Sequence, residues 1–173
     1  MPHTQTAYGR FKKHPDRRKG FHPDWNSYIF NYKRGEVNII LQNYKEAITD
    51  YSKILEFVPD EVVAYNGRGL SNFFLQEYNT AMLDFNKSIK INPNNASAFL
   101  RRGLTKFLLH DYRGAIEDYN KAIELDPNYA SAYLNRGNAK ILLNQKDSAS
   151  LDFSKAGELG FENAYETIKE NCN

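Results

Sequence analysis

Apolar residues recur along most of this chain at intervals of three and four, the spacing that puts side chains on one face of an α-helix. Between residues 97 and 125, Ala98, Phe99, Gly103, Phe107 and Leu108 form one such stripe. A polar break follows at His110-Asp111, and Tyr112, Ala115, Ile116, Tyr119, Ala122 and Ile123 form a second stripe, which stops at Asp126-Pro127-Asn128. Proline has no N–H and disfavours a helical residue before it, so it ends the helix. The pattern predicts two antiparallel helices joined by a short turn.

The hairpin is repeated. Arg34-Gly35 recurs at even spacing as Arg68-Gly69, Arg102-Gly103 and Arg136-Gly137. The shift that aligns these pairs also aligns Tyr44, Tyr78 and Tyr112; Ala47, Ala81, Ala115 and Ala149; Tyr51, Phe85, Tyr119 and Phe153; and Pro59, Pro93 and Pro127. Asp50, Asp84, Asp118 and Asp152 also fall in register, as do Lys53, Lys87, Lys121 and Lys155. So many matches at one shift identify a tandem array, with repeats at about 28–61, 62–95, 96–129 and 130–163. The fourth unit departs from the pattern: Lys146 takes the tyrosine position, Gly157 and Gly160 stand in or beside the last turn, and Phe161 replaces the proline. Phe161, Ala164, Tyr165 and Ile168 then continue at amphipathic spacing and predict a capping helix over about 163–171, covering the edge that stacking leaves open. The expected organisation is a tail at 1–24 and a repeat domain at 25–173, with Trp25 and Tyr28 beginning the first repeat.

Glycine in the first helix, tyrosine after the break, alanine and an aromatic four apart in the second helix, and a terminal proline resemble the tetratricopeptide repeat (TPR) signature over about four fifths of the chain. The pentatricopeptide repeat is also a helical hairpin, but its period is one residue longer. The resemblance implies an all-α fold, a right-handed α-solenoid of antiparallel helix pairs. It also implies that the first helices line a concave groove for extended or helical peptides. Glycines at 35, 69, 103 and 137 are expected where the two helices approach most closely, opposite the alanines.

The residue before that glycine is ordinarily apolar in the family; here it is arginine four times. An aspartate follows each arginine at a constant separation, at 50, 84, 118 and 152. The fixed interval predicts a structural ladder of bidentate, partly buried Arg–Asp pairs rather than an anion-binding stripe, which would need no matched aspartate.

Mapped by the resemblance, the groove positions are Tyr32 and Glu36; Asn66, Leu70 and Phe73; Ser97, Leu100, Arg101, Leu104 and Phe107; and Ser131, Leu134, Asn138 and Ile141. TPR grooves that clamp a chaperone's C-terminal carboxylate carry Lys and Asn, then Asn, then Lys and Arg; the matching positions here are Tyr32 and Glu36, Gly67, Ser97 and Arg101. Only Arg101 fits, so the ligand expected is not of the carboxylate-clamp type. Apolar anchors at Leu70, Leu100, Leu104, Phe107 and Leu134 favour a hydrophobic peptide groove of micromolar or weaker affinity.

Charge changes the picture at one end only. The chain has a net charge of +2, but residues 1–22 carry six Lys and Arg against Asp16 alone. The first reading of this tail is a flexible, solvated arm; Tyr8, Phe11 and Phe21 interleave its charges and add some weight to a second, docking on its own or a neighbour's repeat array. A basic tail that binds nucleic acid or an acidic surface, with the repeats as a dimerisation or docking platform, is the alternative function.

The single cysteine, Cys172, excludes an internal disulfide framework and a cysteine-based zinc cluster. No apolar run approaches the ~20 residues of a membrane span, and no secretory signal precedes the repeats, so a cytoplasmic protein is expected. No phosphate loop, HExxH or Cys/His pair occurs, and His110 belongs to a turn. The expectation is a non-catalytic scaffold or adaptor with no cofactor and a protein or peptide partner; homodimerisation stays open.

Overall fold

The computed structural model describes residues 25–161 and residue 164. Within them lie eight helices: α1 (Trp25–Ile40), α2 (Tyr44–Phe57), α3 (Val62–Phe74), α4 (Tyr78–Ile91), α5 (Ala96–Leu108), α6 (Tyr112–Leu125), α7 (Ala130–Leu142) and α8 (Lys146–Glu158). The basic tail and most of the expected capping helix lie outside the described residues.

The turns are set locally. Each first helix ends in a left-handed residue, Gln42, Gln76, His110 or Asn144, at φ of 59–63°. The next amide then bonds back to the carbonyl five residues earlier, as from Asp111 to Lys106 and from Gln145 to Lys140, both at 2.9 Å. This wrapped ending satisfies carbonyls that the helix terminus would otherwise leave open. Asp111 then caps α6 by accepting from the Gly114 amide at 2.9 Å, so one polar pair closes one helix and starts the next.

The helices pack as four hairpins, α1–α2, α3–α4, α5–α6 and α7–α8, each stacked on the next to give an all-helical solenoid. First helices of neighbouring hairpins also touch one another, and do so more than the second helices do. The first helices therefore line the inner, concave side.

The core is assembled from small and aromatic residues in alternation. Ala47, Ala81, Ala115 and Ala149 are fully buried, as are Phe85, Tyr119 and Phe153, with Tyr51 nearly so. The glycines of the repeat oppose these rings rather than the alanines, which corrects the sequence expectation. A Cβ on Gly103 would stand 2.6 Å from the Tyr119 ring, and one on Gly137 2.6 Å from Phe153. The aromatic lies across the glycine because it must fill the space between two helices whose backbones are held close.

Burial pushes the phenol pKa of Tyr28, Tyr51 and Tyr119 above its ordinary value, and that of Tyr32 up to about 12. Nearby carboxylates act in the same sense: Glu61 beside Tyr28, Glu36 beside Tyr32 and Tyr51, Asp118 beside Tyr119. A raised folded-state pKa means that stability is fully present below the unfolded phenol's value of ~10 and is lost as pH rises toward the folded value. Urea midpoints are therefore expected to hold between pH 8 and about 10 and to fall above it. The Tyr119 hydroxyl is buried with no hydrogen-bond partner among the described residues. Tyr119→Phe, which copies Phe85 and Phe153, should soften that alkaline loss while leaving stability at pH 8 unchanged or raised by up to ~1 kcal/mol.

Candidate functional site

Arginines on the first helices reach carboxylates on the second. Nε and Nη2 of Arg34 donate to Asp50, and the same fork joins Arg68 to Asp84, Arg102 to Asp118 and Arg136 to Asp152. In the last two pairs the Nε–O distance is 2.9 Å and the Nη2–O distance 2.5 Å. The aspartates are buried in every repeat, but their arginines are not equally so: the Arg34 side chain is 42% exposed and that of Arg136 17%. A ring one turn back covers each guanidinium, Phe30, Tyr65, Phe99 or Tyr133, at 4.7–5.6 Å from the centroid. Each pair thus links the first and second helices of one hairpin at their seam.

The concave face is less uniform than its sequence positions. Tyr32 donates to Glu36 at 2.8 Å, and Lys33 pairs with the same carboxylate, so both N-terminal groove candidates are engaged with their neighbours. Leu100 is only 8% exposed and belongs to the core cluster around Tyr119, which withdraws it from the groove surface. Asn66 is buried as well, and its Oδ1 has no hydrogen-bond partner among the described residues. Leu70, Phe73, Leu104, Phe107, Leu134, Asn138 and Ile141 stay partly exposed. Phe73 and Phe107 are braced edge-on by Tyr78 and Tyr112. An open cleft of about 240 Å³ between the third and fourth hairpins is lined by Phe107, Asn138, Ile141 and Leu142. A wider depression of about 460 Å³ at Asn144–Ser148 is formed by a single turn, with no group from a second element converging on it.

Arg101 differs from the ladder arginines. It has no ion pair or side-chain hydrogen bond among the described residues, and burial lowers its pKa, with Tyr129 and Tyr51 acting in the opposite sense. A partly desolvated guanidinium without a carboxylate is a charge left without a partner among the described residues.

Profiles described as tetratricopeptide repeat and TPR repeat match residues 62–95 and 107–143. These matches fall on hairpins that stack in tandem. The chain belongs to the tetratricopeptide repeat family. Among solved TPR structures it resembles MamA, with 27% identity, a TM-score of 0.74 and coverage of 82% of this chain and 83% of that one. It also resembles the first TPR of Spaghetti (RPAP3), bound there to the HSP90 peptide SRMEEVD, with 27% identity, a TM-score of 0.68 and coverage of 72% and 98%. The Arabidopsis OM64 TPR domain is 25% identical, with a TM-score of 0.60 over 63% of this chain and 94% of that domain. A 29-residue stretch is 62% identical to the 1,4-alpha-glucan branching enzyme of Saccharophagus degradans, spanning 17% of this chain but 4% of the enzyme. So short a fraction does not bear on catalysis. Among the described residues, no helix is long and apolar enough to cross a membrane.

Two features of this TPR array escape a reading by residue type. The first is a third donor to each ladder aspartate, one turn after the arginine: Asn38 and Asn72 in the first two repeats, Lys106 and Lys140 in the last two. The second is an exposed apolar rim at the ends of the first helices, Ile40, Phe74, Leu108 and Leu142, which also recurs once per repeat. The period alone could have found the rim, but an apolar residue at helical spacing ordinarily signals core.

Proposed function

We propose that this TPR protein is a non-catalytic scaffold that holds a peptide segment of a partner protein on its concave face. The observation that carries the reading is the line of partly exposed apolar residues from Leu70 and Phe73 through Leu104 and Phe107 to Leu134 and Ile141. That line opens into the cleft at Leu142, with unpaired Arg101 beside its middle. Apolar side chains of a ligand would fill the line, and an acidic or carbonyl group would satisfy Arg101. Tyr32, Glu36, Gly67 and Ser97 supply none of the cations or amides of a carboxylate clamp. The peptide SRMEEVD is therefore expected to show no saturable binding.

The test is affinity capture from the source lysate with the full chain and with Leu70→Glu/Leu104→Glu, each verified as folded by circular dichroism, at low and high salt. A partner kept at high salt and lost at least tenfold with the variant supports the groove. Each buried anchor is worth ~1.5–3 kcal/mol, so two glutamates exceed the ~1.4 kcal/mol of a tenfold change. Salt-sensitive capture indifferent to the variant would move binding to the basic tail.

A further inference from the structure

The outer face of α1 is unlike the same face of every other first helix. Interior first helices present small residues to the preceding second helix at two positions, Ala64, Ala98 and Ala132 at one and Ser71, Thr105 and Ala139 at the other, all at 0% exposure. At those positions α1 carries Phe30 and Val37, which are 58% and 51% exposed, and Ile29 lies exposed beside them. The face that stacking buries elsewhere is thus larger, more apolar and uncovered here.

Arg34 gives a second, polar sign of the same difference. In the later repeats the arginine's Nη1 donates to the preceding second helix: Arg68 to Ser52 at 3.3 Å, Arg102 to Asn86 at 2.8 Å and Arg136 to Asn120 at 2.7 Å. Arg34 uses Nε and Nη2 on Asp50 and Asn31, and its Nη1 has no acceptor among the described residues. Whatever covers α1 should bring apolar side chains to Phe30 and Val37 and one acceptor to Arg34.

We propose that this surface docks the chain's own residues 1–24. They enter α1 directly, as each second helix enters the next first helix, and Asp16 and Lys19 stand one repeat length before Asp50 and Lys53. The register persists, but the helix-packing residues do not: Lys13, Arg17 and Gly20 replace the counterparts of Ala47, Tyr51 and Ile54. Such a segment cannot pack as a second helix, and Phe30 in place of alanine removes the room that a second helix needs. A thinner, extended occupant suits both changes. Phe11 and Phe21 supply the apolar groups and Asp16, the segment's single acidic residue before Pro23, supplies the acceptor.

The reach is sufficient. Arg34 lies ~14 Å along α1 from Trp25, and the nine residues from Asp16 to Trp25 span up to ~30 Å. The tether raises the effective concentration of the segment at this face.

The full chain carrying Phe30→p-benzoylphenylalanine tests this, since Phe30 is exposed and the substitution keeps an aromatic ring there. Irradiation at low micromolar concentration, then digestion and mass spectrometry, should yield an intramolecular crosslink to residues 1–24 in monomeric protein. Adding Asp16→Lys should lower its yield at least threefold. A crosslinked dimer would assign the face to a second copy, and no crosslink to residues 1–24 would leave it to a different partner; either overturns the proposal. An unchanged yield with Asp16→Lys would overturn the contact with Arg34, and with it the assigned register.

Discussion

Asp118→Ala is expected to destabilise the protein by ~3–5 kcal/mol, the range for removing one partner of a buried ion pair and leaving the rest uncompensated. Asp118 is 4% exposed and holds two cations: Arg102 through both oxygens, and Lys106 at 3.0 Å. Truncation leaves Arg102 with Asn86 and Lys106 with the Gly114 carbonyl, but neither neutral group replaces the carboxylate's charge. The loss would take a large part of the ~5–15 kcal/mol that holds a typical domain together. The comparison with Asp84→Ala isolates the cause. Asp84 also pairs with an arginine, but its second donor is the amide of Asn72 at 3.5 Å, and Arg68 is 27% exposed against 19% for Arg102. Urea midpoints should therefore rank Asp118→Ala as the more damaging, with Asp152→Ala close to it because Lys140 stands at 2.7 Å. A loss below ~1 kcal/mol for Asp118→Ala would place the pair among surface ion pairs and sink the structural account of the ladder.

That ladder shows what a repeated sequence makes legible. Arginine and aspartate could be paired because both recur at a fixed separation and their chemistry is reciprocal. The donor after the arginine recurs in place but not in type, asparagine twice and lysine twice, so its shared role needs coordinates. The acceptors Ser52, Asn86 and Asn120 are equally hidden, because each belongs to one hairpin and serves the next. The same limit applies to the groove. Helical spacing puts Leu100 and Leu104 near one face, but the small rotation that buries the first and leaves the second partly open depends on how the hairpins stack. The helices and their order followed from the period of the apolar residues; their ends needed only local turn chemistry. Opposing the glycines to alanines rather than to rings was an error of that same kind, since both candidates lie on the facing helix within about one turn of each other.

Gly67→Val should be the most damaging single substitution on the concave side, although it breaks no repeated pattern. At the equivalent position the other repeats hold Lys33, Arg101 and Asn135, so nothing in the periodicity marks Gly67. The marker is Tyr51. Its ring packs against Gly35 in its own hairpin, and it lies so close over Gly67 in the next that a Cβ there would overlap Cζ, Cε1 and Cε2. Valine improves on glycine's helix propensity by a few tenths of a kcal/mol, while overpacking a closed core costs ~1–3 kcal/mol or more. The steric effect wins, and a net loss of ~2 kcal/mol is expected. Tyr51 is 2% exposed and has no free space to retreat into, so the strain should pass to the neighbouring hairpin and to Arg101, whose charge the phenol faces. A double-mutant cycle identifies the contact. Tyr51→Ala alone should be destabilising through its cavity, and adding Gly67→Val should then cost nothing further or recover stability, a coupling of at least ~1 kcal/mol. Additive losses would show that Gly67 is required by the backbone rather than by the ring above it.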